Sequence, residues 1–511
     1  MRLIDLVRGV MTGYGVRGLQ VVISLLMLPF LIRDDVLGVE RYGQAFVILS
    51  SIGAVSIVTD GIKLGYSRVI AAAIQDPEGS PGVLFGQGLR VMLLLTVGLA
   101  GLLFFFRNDF IHVTGLPATA DCELAIALAA LRLVAFEAFW VNRSLLLGHG
   151  HLGYLNGVQA VEVVSRNAFY LIAFSLGEAT IAAFVGAQAV GAAFKEVAAF
   201  AYALRHHRTD LNGAIGARVA DSWPVLKESF SIGMTTIFYI ILYRLSLPLV
   251  NRVLGSEAAG YLALVINTTD YNLRQALLVA VQPLLVPIAS RLNIDKLSAH
   301  RRFLLLEFEA TYGAAVLLFT APLITLLPAL LELWLGAELG ILAGPMQIML
   351  VGAAIQICFT VQHSLLVGQR MAPLVARRTA PISVAAIGLG IAAVITTQEW
   401  AAVAVTIAVY SAMTSAFAVG RVFETRLLLP EARHRRVTLR LISACVVSFG
   451  LAAFLSRFAS LDRLPWLVIA ALGSFLGTVA TIHFTLLPIR RIRETLSTLA
   501  RSRGRDLFSD R

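Results

Sequence analysis

The sequence predicts an all-α polytopic membrane protein of about fourteen transmembrane helices, and three observations support this. The 511 residues are 58% hydrophobic and only 14% charged, whereas a soluble protein of this size carries about 25% charged residues. Apolar runs of about 20 residues, long enough to cross a hydrocarbon core as helices, recur from end to end. One eight-residue pattern also occurs twice between apolar segments, which indicates two related lobes.

The transmembrane segments are placed by their hydropathy. The N-terminal stretch MRLIDLVRGVMTGYGVRG has no signal-peptide cleavage pattern, so we expect the first helix to be retained. The predicted spans lie near 11–32, 42–66, 84–106, 122–144, 154–175, 179–203, 229–250, 258–289, 304–327, 341–366, 374–396, 399–420, 437–456 and 465–488.

The basic residues predict the orientation of these spans. Lys and Arg sit mostly in alternate connections, with 28 of them on one side and six on the other. The positive-inside rule then places both termini in the cytoplasm and requires an even number of helices, which fourteen or twelve satisfies. The net charge of +11 therefore indicates membrane topology rather than a nucleic-acid partner.

The pattern V-L-G-x-E-x-x-G occurs at Val36–Gly43 and again at Val253–Gly260, 217 positions later. Six predicted spans separate the copies, and an even number preserves orientation, so the repeat is parallel about an axis along the membrane normal. The predicted parts are a six-helix lobe at 1–203, a cytoplasmic connection at 204–228, a second six-helix lobe at 229–425, an appended helix pair at 426–489 and a basic cytoplasmic tail at 490–511 that lies against anionic lipid headgroups.

Ionisable residues are concentrated in the first eight spans. Such residues are costly inside a membrane unless they face a wet cavity or a partner, so they are candidate functional residues. Their helical spacing forms polar stripes, which predict a shared hydrated cavity. The cations suit an anion such as a diphosphate; they are Arg17, Lys63, Arg132, Arg166, Arg244 and Arg274. The acids either bind a coupling H⁺ or Na⁺ or balance charge; they are Asp60, Glu137, Glu162 and Asp270.

Other interpretations of these charges remain open. Glu162 with Arg166 and Asp270 with Arg274 have the i,i+4 spacing of structural ion pairs. Two further pairs are expected near span ends, where their side chains would extend to the membrane surface. These pairs are Lys195 with Glu196 and Glu307 with Glu309.

No cofactor or metal site is expected from the sequence. Gly13, Gly15 and Gly18 match a dinucleotide-binding pattern, but neither a strand nor a βαβ unit accompanies them. The three cysteines are far apart. The H-G-H sequence at His149 and His151 lies in a short turn with no Cys or carboxylate nearby in sequence.

An enzymatic alternative comes from the first extracytoplasmic turn. Asp34 and Asp35 lie there, where membrane glycosyltransferases that use polyprenyl-phosphate sugars often place acidic catalytic residues. The large extracytoplasmic domain that usually accompanies them is missing, so a solvated turn is the preferred interpretation.

The segment VLGVERYGQAFVILSSIGAVSIVTDGIKLGYSR resembles the opening of the polysaccharide transporters, the O-antigen and exopolysaccharide flippases of the multidrug/oligosaccharidyl-lipid/polysaccharide exporter superfamily. The resemblance is carried by Leu37-Gly38, Tyr42-Gly43, Ser50/Ser51, Asp60-Gly61 and Arg68, and in the second lobe by Gly255, Gly260 and Tyr261. Two positions depart from the family pattern: Tyr243 precedes Arg244 where an acid is frequent, and Lys63 stands where the family is often apolar.

This resemblance implies alternating access and export of a polyprenyl-diphosphate-linked oligosaccharide across a bacterial inner membrane, for surface polysaccharide synthesis. Peptidoglycan-precursor flippases and multidrug antiporters of the same superfamily are the near alternatives, and a glycosyltransferase or polysaccharide polymerase is the alternative from another class. Expected partners are the lipid-linked oligosaccharide, membrane lipids and a coupling H⁺ or Na⁺, with no nucleic acid.

Overall fold

A computed structural model describes residues 3–76, 78–233, 237–274, 299–368, 371–419, 431–459 and 464–486. These residues form helices and connections, and every predicted span coincides with helix wherever it is described. Within the described residues, eight helices are long and apolar enough to cross a membrane, and a bent pair in the second helix adds a ninth. The prediction of an all-α polytopic membrane protein is therefore confirmed.

The described residues form two compact units. The N-terminal unit comprises residues 1–264 with 390–400, and the C-terminal unit comprises residues 265–389 with 401–511. The predicted lobe boundary at 204–228 stays a prediction, because the first unit continues to residue 264. The second half of span 8 and the basic tail lie outside the described residues.

The N-terminal unit contains twelve α-helices within its described residues, and one π-helical segment, Val134–Ala138, lies between the fifth and sixth of them. Their bounds are α1 Leu3–Leu31, α2 Gly38–Gln75, α3 Pro81–Phe105, α4 Arg107–Thr114, α5 Ala120–Leu133, α6 Trp140–Gly148, α7 Leu152–Ser175, α8 Ile181–His206, α9 Arg208–Asn212, α10 Trp223–Gly233, α11 Ile237–Leu254 and α12 Ser256–Ile266.

The C-terminal unit begins with a π-helical segment, Asn267–Arg274. Its described helices are α13 Ala299–Leu335, α14 Ala343–Cys358, α15 Thr360–Gly368, α16 Ala372–Thr397, α17 Ala401–Met413, α18 Glu431–Ser456 and α19 Leu464–Thr481, with short π-helical segments at Thr414–Val419 and Ile482–Leu486.

One carboxylate joins the beginnings of α5 and α8. Asp121 lies in the first turn of α5, where Thr119 caps the helix by accepting a hydrogen bond from Cys122 N. Asp121 also accepts hydrogen bonds from Ile181 N and Ala182 N, each 2.9 Å long. Because the first amide groups of a helix lack intrahelical acceptors, one acidic side chain satisfies two of them and places α8 beside α5.

The two copies of V-L-G-x-E-x-x-G adopt the same local structure. The first glycine of each copy, Gly38 or Gly255, has a left-handed backbone, with φ of 74° and 94° respectively. Glycine adopts this conformation without a steric penalty, so it allows the chain to turn into the next helix. The glutamate then lies in the first turn of that helix, at Glu40 and Glu257. Both copies of the pattern therefore form a left-handed turn that leads into the first turn of a helix.

The copies also contact each other inside the N-terminal unit. A Cβ atom on Gly43 would overlap the carbonyl oxygen of Ser256, and one on Gly260 would overlap the carbonyl oxygen of Val39. Val39 and Ser256 hold the same place in the two copies, so the contact is reciprocal. A two-fold relation produces such a contact, which supports the predicted parallel repeat.

Replacing either contact glycine by alanine is expected to destabilise the protein. Gly43→Ala and Gly260→Ala each force backbone segments apart, at a cost of about 1–3 kcal/mol, and thermal unfolding of the purified protein measures the loss. Gly98→Ala is the matched control, because a Cβ there meets nothing within 4 Å. Equal melting temperatures for all three variants would contradict the close contact.

Candidate functional site

A group of buried and half-buried charged side chains lies in the N-terminal unit, on α2, α7, α8, α11 and the broken helix α5–α6. This charge cluster is built around the π-helical segment Val134–Ala138, which carries Glu137. A π-helical turn changes the direction of the following side chains and is often found at functional sites. The cluster consists of Asp60, Lys63, Arg132, Glu137, Arg143, Glu162, Arg166, Lys195, Glu196 and Arg244.

Lys63 holds two of the carboxylates. Its Nζ lies 2.7 Å from Asp60 Oδ1 and also binds Glu137 Oε2. Glu137 accepts a second hydrogen bond, 2.7 Å long, from Thr59 Oγ1. Lys63 is only 5% exposed, so its charge is engaged by the two acids. The geometry favours charge balance for Lys63, rather than the direct substrate contact that the sequence suggested.

Lys195 holds the other two carboxylates. Its Nζ lies 2.7 Å from Glu162 Oε2 and 3.8 Å from Glu196 Oε1. Both Lys195 and Glu196 are buried, so the prediction that they extend to the membrane surface is wrong. The physical reason is their position: Lys195 lies eleven residues before the end of α8 at His206, too deep for its side chain to reach the helix end.

An aromatic ring lies among three of the cations. The ring centroid of Phe136 lies 4.0 Å from Lys195 Nζ, 5.4 Å from the guanidinium carbon of Arg132 and 5.8 Å from Lys63 Nζ. The negative face of an aromatic ring stabilises a cation at such distances. Sequence analysis missed Phe136, for which the only signal was the aromatic-rich stretch around Glu137, and it did not place Lys195 in the site.

The arginines of the cluster are engaged differently from the lysines. The Nε atoms of Arg132 and Arg166 are buried and have no hydrogen-bond partner among the described residues. Arg166 donates from Nη1 to Gln188 at 3.3 Å, whereas Glu162 forms its ion pair with Lys195. The i,i+4 pair of Glu162 with Arg166 is therefore replaced by contacts to α8. Buried donors without a protein acceptor are costly, so these two Nε atoms are candidates for contact with a ligand.

Arg244 approaches the same group from α11. Its electrostatic interactions include Arg132, which in turn interacts with Arg166, Glu137 and Glu162. A Cβ on Gly53 of α2 would lie 3.1 Å from the guanidinium carbon of Arg244. The absence of a side chain at Gly53 therefore leaves room for this guanidinium. Arg132, Arg166 and Arg244 thus lie in one unit and interact electrostatically, and their role in binding a substrate stays a prediction.

The remaining predicted residues are placed elsewhere. The side chain of Arg17 lies outside the described residues. Asp270 and Arg274 lie in the C-terminal unit, are 1% and 6% exposed, and form the i,i+4 ion pair. Arg274 also donates to Gln356 Oε1 at 3.2 Å. Its guanidinium is thus held by protein groups, which favours the structural interpretation of this pair.

Two other sequence expectations bear on the site. Glu309, predicted to reach the membrane surface, is 1% exposed, because it lies on a buried face of α13; the side chain of Glu307 lies outside the described residues. In the turn that contains Asp34 and Asp35, Asp35 forms an exposed ion pair with Arg33 at 2.7 Å, as expected for a solvated turn.

Comparisons with known proteins show what this fold resembles. No protein-family model matches the sequence, and a sequence search of curated proteins finds no match. Among solved structures, the chain is similar to the lipid II flippase MurJ in an inward closed conformation, with a TM-score of 0.58 and 12% identity over 87% of this chain and 96% of that chain. It is also similar to a eukaryotic MATE transporter, with a TM-score of 0.57 and 14% identity over 86% of this chain and 98% of that chain. The chain therefore has the fold of these multi-pass membrane transporters.

Proposed function

We propose that the protein is a flippase that exports a polyprenyl-diphosphate-linked oligosaccharide across a bacterial inner membrane, for surface polysaccharide synthesis. The observation that carries the proposal is the pair of buried guanidinium Nε atoms, at Arg132 and Arg166, that have no acceptor among the described residues. Guanidinium groups bind phosphate oxygens bidentately, and a diphosphate supplies enough oxygens for several of them.

The net charge of the cluster supports an anionic substrate. Lys63 binds Asp60 and Glu137, and Lys195 binds Glu162. Glu196 lies 3.8 Å from Lys195, and its buried carboxylate oxygens have no hydrogen-bond partner among the described residues. The four acids carry a formal charge of −4 and the two lysines +2, so the arginines complete the balance, and the whole cluster keeps a net formal charge of +2 that favours an anionic ligand. An organic cation, the natural substrate of a multidrug antiporter, would meet net positive charge here, which disfavours that alternative.

The proposed mechanism follows from these contacts. The arginines bind the diphosphate on the cytoplasmic side, polar groups such as Gln188 and Gln159 accept the sugar hydroxyls, and the prenyl chain stays in lipid. Asp60, Glu137 and Glu162 balance the lysines, and protonation of one of these acids by a coupling H⁺ would release a lysine and shift the cluster. Arg17, Arg274 and Asp270 are further candidates for the site. Na⁺ is the alternative coupling ion.

A peptidoglycan-precursor flippase is the second candidate, because the chain has a fold similar to that of MurJ, which is a lipid II flippase. The arginines would serve either substrate, so the glycan distinguishes the two. Gene deletion separates them: a surface polysaccharide flippase is dispensable for the cell wall, whereas loss of a sole peptidoglycan-precursor flippase stops growth.

Extraction of polyprenyl-linked intermediates from the deletion strain tests the proposal. Completed oligosaccharide units are expected to accumulate on the cytoplasmic leaflet and to disappear when the wild-type gene is restored. Truncated units would instead identify a glycosyltransferase, and completed units on the outer leaflet a polymerase. Unchanged lipid pools would exclude a lipid-linked glycan as the substrate. Joint replacement of Asp34 and Asp35 should leave a flippase active and inactivate an enzyme that uses these residues.

A further inference from the structure

Three histidines and an aspartate meet outside the membrane spans of the N-terminal unit. His149 and His151 lie in the turn between α6 and α7, and His207 and Asp210 follow the end of α8. The H-G-H turn has no carboxylate nearby in sequence, but the helical hairpin brings Asp210 to it from 61 positions away. His149 Nε2 lies 2.9 Å from Asp210 Oδ2, and the two elements are joined there.

The separations of the side-chain atoms fit a metal ion. The ligand atoms of His149, His207 and Asp210 all lie within 4.8 Å of one another. Asp210 Oδ2 lies 2.9 Å from His149 Nε2 and 3.7 Å from His207 Nδ1. Tetrahedral Zn²⁺, with bonds of about 2.0–2.2 Å to nitrogen and oxygen, separates neighbouring ligand atoms by roughly 3.3 Å. The two observed distances lie on either side of this value. The rings of His149 and His207 stack with centroids 3.9 Å apart, so metal binding requires one of these two rings to rotate out of the stack.

A second layer of hydrogen bonds orients these ligands. His207 presents Nδ1 to Asp210, and its Nε2 lies 3.0 Å from His151 Nε2. His151 Nδ1 in turn lies 3.4 Å from the hydroxyl oxygen of Tyr202. If His207 Nδ1 ligates a metal, its Nε2 carries the proton and donates to His151, whose Nδ1 proton then points at Tyr202. Such outer partners are a regular feature of histidine metal sites.

We propose that His149, His207 and Asp210 bind a divalent transition-metal ion of borderline softness, namely Zn²⁺, with water in the fourth position. Two nitrogen ligands and one carboxylate suit Zn²⁺ better than Mg²⁺ or Ca²⁺, which prefer oxygen ligands alone. The ion links the α6–α7 turn to α9, the first element of the connection that follows α8. The backbone of Asp210 already packs against Gly82 at the start of α3, so the metal fixes a segment that is close-packed on its other side.

Zinc titration of the full-length purified protein tests this site. The protein carries an affinity tag without histidines, is stripped with EDTA, and is titrated with ZnCl₂ by calorimetry. Wild type is expected to bind a single ion, and His149→Ala, His207→Ala and Asp210→Ala are each expected to bind at least about 100-fold more weakly. His151→Ala, which removes only an outer partner, is expected to lose about 10–100-fold.

His206→Ala is the matched control, because this exposed histidine is adjacent to His207 and lies outside the ligand set; it should bind as wild type does. Equal melting temperatures in EDTA show that the variants fold. Zinc should then raise the melting temperature of wild type and His206→Ala but not of the three ligand variants. Absence of zinc binding to wild type, or unchanged zinc affinity in the three ligand variants, would overturn the proposal.

Discussion

Arg166→Ala and Arg132→Ala are each expected to weaken binding of a polyprenyl diphosphate by about 10–100-fold. A hydrogen bond to a charged group contributes about 1.5–3 kcal/mol, and each 1.4 kcal/mol corresponds to a tenfold change in affinity. Both side chains have a buried Nε without an acceptor among the described residues, so the ligand would supply the missing partner. Titration of the detergent-purified protein with a short-chain polyprenyl diphosphate measures the effect.

The control for these variants is Arg205→Ala, because Arg205 is exposed in the last turn of α8, away from the charge cluster. Its removal should leave the affinity unchanged. Arg166→Lys should give an intermediate affinity, since lysine keeps the charge but loses the planar, bidentate geometry. If Arg132→Ala and Arg166→Ala bind the diphosphate as tightly as the control and wild type do, these arginines do not contact a diphosphate. The proposed function then loses its main support.

Lys195→Met is expected to destabilise the protein by about 3–5 kcal/mol. Removal of one member of a buried ion pair leaves the other charge uncompensated. Lys195 is 1% exposed and lies 2.7 Å from the carboxylate of Glu162, so Glu162 and Glu196 would both lose their cation. Thermal unfolding, or the yield of folded protein after extraction, reports the loss.

A double variant separates the ion pair from simple packing. Glu162→Gln with Lys195→Met removes both charges together and should recover much of the stability, because a buried pair replaced by neutral groups costs little. Lys227→Met, at an exposed lysine of α10, is the control and should unfold like wild type. A double variant as unstable as Lys195→Met alone would show that the charges of this pair are not the cause.

The helices were predictable because the membrane imposes their length. An apolar run of about 20 residues is sufficient to identify a span, and the structure has helix at each predicted segment that it describes. The partners of the charged residues were harder to predict from the sequence. Spacing along one helix suggested that Glu162 pairs with Arg166, but α8 brings Lys195 to Glu162 from another helix. The periodicity of one helix does not predict which face of a neighbouring helix will pack against it.

The histidine cluster illustrates the same limit more strongly. His149 and Asp210 are separated by 61 positions, and their contact depends on the packing of α8 beside the α6–α7 turn. A local motif search finds only ligands that are close in sequence. In contrast, the glycines of V-L-G-x-E-x-x-G could be singled out early, because each copy repeats its own local requirement for a left-handed turn.

The reciprocal glycine contact has an evolutionary consequence. Gly43 packs on the backbone at Ser256, and Gly260 packs on the backbone at the equivalent Val39, so one pattern provides both surfaces. A half-length polypeptide with a single copy would present both surfaces of this contact, and could form it with a second molecule of itself about a two-fold axis. Fusion of two such genes would have converted a homodimer into one chain. After fusion each half was free to diverge, which is consistent with a site built mainly from the residues of one half.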